Sequence, residues 1–139
     1  MVQLLISAKG HGKTKLLIDM ANEAHKTANG NIVFIDDNKK HIYDIHSGIR
    51  FVETSACDLV NYREFAGFIY GILSQNSDIE KIFVDGLYKI IRDLSDEDLV
   101  KLVKRLDAIS KEESVDFIVG MSSDYGKIPE GVQDYVIKD

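Results

Sequence analysis

Val2-Gln3-Leu4-Leu5-Ile6, Ile32-Val33-Phe34-Ile35, Ile82-Phe83-Val84 and Val115-Asp116-Phe117-Ile118-Val119-Gly120-Met121 are short, nearly unbroken apolar runs, each separated from the next by a much longer stretch. A strand wetted on one face alternates apolar with polar residues, whereas a continuous run fits a strand covered on both. The intervening stretches carry apolar residues at helical spacing. Strand, helix, strand, helix, strand, helix, strand is therefore the predicted order. It implies an α/β fold of three layers, with a mostly parallel sheet of about five strands, helices on both faces and right-handed crossovers. Ligands of such sheets lie beyond the carboxyl ends of the strands.

The helices have recognisable ends. The first is expected from Lys13 or Thr14 to about Ala28, stopped by Asn29-Gly30-Asn31. A second runs from about Asp58 or Asn61 to Gln75, with Asn61 and Glu64 spaced as a capping pair and Phe65, Phe68, Ile69, Ile72 and Leu73 as its apolar face. Gly67 and Gly71 inside it are read as points of close approach to the sheet. Ser95, with Asp98 three residues on, caps a third helix whose stripe is Leu99, Val100, Leu102, Val103, Leu106 and Ile109. The segment from Asn38 to Ser47 is polar and mixed, Ile49 to Val52 reads as a short strand, and Tyr135-Val136-Ile137 as a last one.

With 139 residues, a single domain spanning 1–139 is expected. A net charge of −6 argues against bulk attraction to nucleic acid or an anionic membrane, which needs clustered Lys and Arg. Cys57 is the single cysteine, so no internal disulfide is possible and a cytoplasmic location is expected. No run approaches the ~20 apolar residues needed to span a bilayer. Neither a membrane segment nor a signal peptide is expected.

Ser7-Ala8-Lys9-Gly10-His11-Gly12-Lys13-Thr14 joins the first apolar run to the first helical pattern. Glycines let successive backbone N–H groups turn inward around an anion, and the helix N-terminus adds a positive dipole end at the same point. Ser7, Lys9, Gly10, His11, Gly12, Lys13, Thr14 and Lys15 are thus candidate nucleotide-binding residues. Lys13 supplies charge for β- and γ-phosphates, and Thr14 a hydroxyl for Mg²⁺.

On Gly12-Lys13-Thr14 preceded by a strand, the chain resembles the P-loop NTPases, with Ser7 standing where the pattern has its first glycine. The resemblance implies a P-loop NTPase-like fold that binds ATP, or another NTP such as GTP, with Mg²⁺. An Asp closing an apolar strand then holds the metal opposite Thr14. Asp85 fits that role, with Asp36 as the alternative, because the RecA-like and AAA-like branch carries this Asp on a later strand and a polar sensor on the next, where Ser122 stands. Lys13 and Asp85 are the catalytic candidates. That branch has a Glu beside the Asp to orient water, but the neighbour here is Gly86. Asp37 and Glu53 are substitutes at strand ends, and none of Arg50, Arg63, Arg92 and Arg105 lies in an evident lid. Slow Mg²⁺-dependent hydrolysis is therefore expected, with a homo-oligomer or protein partner as a possible source of a missing arginine. The alternatives are a non-catalytic nucleotide-dependent interaction module and a small phosphotransferase.

Overall fold

The computed structural model describes residues 1–7, 12–122 and 127–137. Along the chain come β1 (Val2–Ser7), α1 (Lys13–Thr27), β2 (Asn31–Asp36), a 3₁₀ turn (Ile42–Asp44), β3 (Arg50–Glu53) and α2 (Tyr62–Ser74). Then follow β4 (Ile79–Asp85), the one-turn α3 (Leu87–Ile90), α4 (Asp96–Glu113), β5 (Asp116–Ser122), a 3₁₀ stretch (Glu130–Tyr135) and β6 (Val136–Ile137). The strands form one sheet of six in the order β3-β2-β4-β5-β1-β6. Every neighbouring pair is parallel. The sheet thus has six strands where about five were expected, and the two short segments read as strands, at Ile49 to Val52 and at Tyr135 to Ile137, supply its edges β3 and β6. Tyr135, expected in the last strand, instead ends the preceding 3₁₀ stretch.

Within each apolar run the side chains divide by parity, as a pleated strand requires. Leu4, Ile6, Val33, Ile35, Val84, Phe117 and Val119 face α2 and α4, where they meet Phe65, Ile69, Leu102 and Leu106. Leu5, Ile32, Phe34, Phe83 and Ile118 face the other way, onto Leu17, Ile18 and Ala21 of α1. Helices therefore cover both faces, which is why the runs have no polar alternation. The connection β1-α1-β2 travels one way along the sheet, and β3-α2-β4 and β4-α4-β5 travel the other way. Opposite directions with helices on opposite faces give crossovers of a single hand.

Local signals explain the helix ends. Asn61 Oδ1 accepts from Glu64 N at 3.0 Å, and Glu64 Oε1 accepts in return from Val60 N at 2.6 Å. Ser95 Oγ accepts from Asp98 N at 3.1 Å. Gly67 and Gly71 correct the sequence reading: a β-carbon on either would meet nothing within 4 Å. They lie on the exposed side of α2, away from the sheet, so close approach does not account for them. Close approach of a helix to the sheet is instead allowed at Gly120 in β5, where an ideal β-carbon would sit 2.4 Å from Leu17 Cδ1 and 3.5 Å from Lys13 Cδ.

Candidate functional site

The connection leaving β1 crosses the sheet in one direction and that leaving β4 in the other, so the loop leaving β1 goes to one face and the loop leaving β4 to the other. The gap between them at the carboxyl edge is where such sheets bind ligands. Gly12 opens α1 with φ +73°, a left-handed conformation open to glycine without a Cβ penalty. Leu16 N donates to Gly12 O at 3.2 Å, and the first turn of α1 contains no acidic side chain. Its positive end is therefore not neutralised by its own sequence.

Lys13 turns back from this first turn across the end of β5, where Nζ donates to Ser122 Oγ at 2.6 Å. Burial pulls the Lys13 ammonium below its ordinary pKa, the Asp85 charge counteracts this, and Lys89 adds to the lowering. The three residues thus feel one another. Asp85 reaches this place as the last residue of β4, and Gly86 at φ +77° then turns the chain sharply into α3. That turn returns Lys89 to the same cleft. Gly86 N donates to Gly120 O at 3.1 Å, which fixes the turn against β5.

Asp36 and Asp85 close adjacent parallel strands one register step beyond Ile35 and Val84, and both are buried, at 4% and 6% exposure. Burial pushes the Asp36 carboxyl up to about 7, assisted by a hydrogen bond shared with the Asp37 carboxyl and by the charge of Asp85. Asp36 Oδ1 also accepts from Asp37 N at 2.7 Å, which draws it part of the way back. A cavity of about 190 Å³ lies at this edge, lined by Thr14, Asp36, Asp37, Lys40, Asp85 and Lys89 together with Asn38, His41 and Gly86.

Of the candidates read from sequence, the structure brings Lys13, Thr14, Asp85, Asp36 and Ser122 to one place. Lys15 lies in the first turn of α1 beside them but pairs with Asp19 at 2.9 Å and lines a neighbouring cavity. Lys9, Gly10 and His11 lie outside the described residues, as does the side chain of Ser7. Of the two substitute carboxylates, Asp37 lines the cavity, whereas Glu53 does not and stands 3.9 Å from Lys39. The sequence reading missed Lys89, Lys40 and His41. For Lys89 a signal existed: glycine directly after Asp85 followed by a single apolar turn brings a residue four positions on back toward the strand end.

Among the described residues no group of three or more His, Cys, Asp or Glu side chains is placed to hold a metal on its own. Two buried carboxylates beside a hydroxyl and an ammonium instead suit Mg²⁺, which takes one or two carboxylates and draws its remaining ligands from water and phosphate oxygens. Among the same residues no helix is long and apolar enough to cross a membrane. No family model matches the chain, and no curated protein matches it.

Proposed function

We propose that this protein binds a nucleoside triphosphate, ATP in the first instance, together with Mg²⁺, and hydrolyses it slowly. The observation that carries this reading is the meeting of Lys13, on the uncapped first turn of α1, with Ser122 and Asp85 at the carboxyl edge of the sheet. An ammonium and a helix N-terminus at one point suit a phosphate chain. Thr14 and Asp85 line the same cavity and would hold the Mg²⁺ that accompanies a triphosphate. When bound, that ion neutralises charge developing on the transferred phosphoryl group.

Strand order supports Asp85 over Asp36 as the closer carboxylate to the metal. β4 is separated from β1 only by β5, whereas β2 stands one strand farther away. At about 4.8 Å per strand, that extra step sets Asp36 farther than Asp85 from the strand that precedes Thr14. The RecA-like arrangement of a phosphate loop, an acid and a neighbouring polar sensor is thus the branch that the geometry favours. Ser122, the hydrogen-bond acceptor of Lys13, is the sensor in this reading.

A second reading is favoured by Gly86, which stands where that branch carries a carboxylate. Under it the chain is a nucleotide-dependent interaction module that does not turn over. Calorimetric titration with ATP, GTP and ADP, with and without Mg²⁺, followed by assay of phosphate release, separates the two. Binding with release supports the hydrolase, and binding without release the module. The absence of binding to any of the three contradicts both.

A further inference from the structure

His41 and Asp44 form a side-chain pair at the mouth of the cleft that the sequence motifs do not contain. His41 Nδ1 lies 3.2 Å from Asp44 Oδ2. A carboxylate only accepts, so Nδ1 is the nitrogen that donates to it. Nε2 has no partner among the described residues. The pair is held by its backbone. Asp44 N donates to His41 O at 3.0 Å, closing the 3₁₀ turn. The side chain of Asn22 then clamps that turn to α1, with Nδ2 donating to Asp44 O at 3.0 Å and Oδ1 accepting from His46 N at 2.9 Å.

The position of His41 gives this pair its significance. It lines the 190 Å³ cavity that holds Thr14, Asp36 and Asp85. It also lines an adjoining cavity of about 440 Å³ between α1 and the 3₁₀ turn, which Thr14 borders as well. Thr14 and His41 border both spaces, so His41 stands between the larger one and whatever Thr14 holds. An imidazole with one nitrogen fixed by a carboxylate and the other free is the arrangement by which a histidine takes a proton from an attacking oxygen.

We propose that His41 is the catalytic base of the hydrolysis, occupying the role that Gly86 leaves vacant, and that Asp44 is its positioning residue. The inference rests on the triphosphate-binding reading above. Water entering from the larger cavity attacks the terminal phosphorus, and its proton passes to His41 Nε2. The bond from that phosphorus to the bridging oxygen breaks, with the electron pair leaving on the diphosphate. Orthophosphate and nucleoside diphosphate result, and the imidazolium is stabilised by Asp44 until it releases its proton to solvent. Asp37, which lines the smaller cavity, is the competing base. Its carboxyl already shares a hydrogen bond with Asp36, whereas His41 Nε2 is uncommitted.

The test compares wild type, His41→Ala, Asp44→Asn and Asp37→Asn for Mg²⁺-ATP affinity and for phosphate release in a single turnover, with and without added imidazole. His41→Ala is expected to keep its affinity and melting temperature while losing ~10² to 10⁴-fold in rate. Free imidazole should restore part of that loss in His41→Ala and leave the other variants unchanged. Asp44→Asn should lower the rate with little effect on affinity. A His41→Ala rate equal to wild type, or a lowered rate that imidazole does not restore, overturns the proposal. So does a full loss of rate in Asp37→Asn with His41→Ala active. Wild type that binds ATP without releasing phosphate overturns it while sparing the binding reading. Wild type that binds no nucleotide overturns both.

Discussion

Lys13 Nζ and Ser122 Oγ are joined by a 2.6 Å hydrogen bond between residues 109 positions apart in sequence. The bond ties the first turn of α1 to the end of β5 and holds the ammonium over the carboxyl edge of the sheet instead of in open water. Ser122→Ala is expected to leave the fold intact and to let Lys13 wander, lowering triphosphate affinity less than loss of the ammonium itself. A loss of about 1 kcal/mol, the usual worth of one such bond, corresponds to about a fivefold rise in dissociation constant. Calorimetric titration of both proteins checks it.

Asp36 sets a pH dependence of stability. In the unfolded chain its carboxyl titrates at about 3.9, whereas in the fold it is raised to about 7. The folded protein keeps a proton there that the unfolded chain has already released. Its stabilising contribution is full below about pH 4 and is lost as the pH climbs through about 7. Asp36→Asn removes this dependence. Urea midpoints measured from about pH 5 to pH 8 should fall more steeply for wild type than for the variant, with the variant the more stable of the two at the alkaline end. Parallel curves would contradict the assignment.

Asp85 and Asp36 differ in what the metal asks of them. Asp85→Asn keeps the shape but removes the charge that the cation needs, so Mg²⁺-dependent ATP affinity should collapse while Mg²⁺-free binding through Lys13 changes little. Asp36→Asn should cost ~10 to 100-fold in metal response, the scale of an outer-shell partner. Mg²⁺ titrations at fixed nucleotide decide the order, and the reverse order would assign the metal to β2.

Gly120 and the pair Gly67 and Gly71 predict opposite signs for the same substitution. At Gly120 an alanine β-carbon would fall 2.4 Å from Leu17 Cδ1, a fully buried atom group of α1. Repacking should cost ~1 to 3 kcal/mol, and because Lys13 Cδ is also in reach, nucleotide affinity should fall with it. At Gly67 and Gly71 the added methyl meets open space on an exposed helix face. Each Gly→Ala should stabilise by ~0.5 to 1 kcal/mol. Thermal and denaturant melts of the three single variants check both signs.

The layers were legible because unbroken runs such as Ile32 to Ile35 leave no face for water, and because Asn61 with Glu64 and Ser95 with Asp98 carry the cap chemistry of their helices. Lys13, Asp85 and Ser122 could be grouped because each directly ends a strand or opens a helix, and a parallel sheet brings those points to one edge. His41 and Lys89 could not be grouped that way. Their positions depend on how the 3₁₀ turn folds against Asn22 and how Gly86 turns, which are tertiary facts without periodicity. Gly67 and Gly71 were misjudged, and the close approach at Gly120 went unread, for a related reason. Sequence records that a side chain is absent, and only the packed structure records whether anything occupies the space.

In the proposed function Lys13 is the phosphate cation, and a thermal melt of wild type beside Lys13→Ala, with and without Mg²⁺-ATP, tests that role most directly. A ligand that binds the native state alone stabilises it by ~2.7 kcal/mol at one hundred times its dissociation constant. Wild type is expected to melt higher by the corresponding amount in millimolar Mg²⁺-ATP, and Lys13→Ala, folded without ligand, should show little or no shift. Equal shifts in the two proteins, or no shift in wild type, would contradict it.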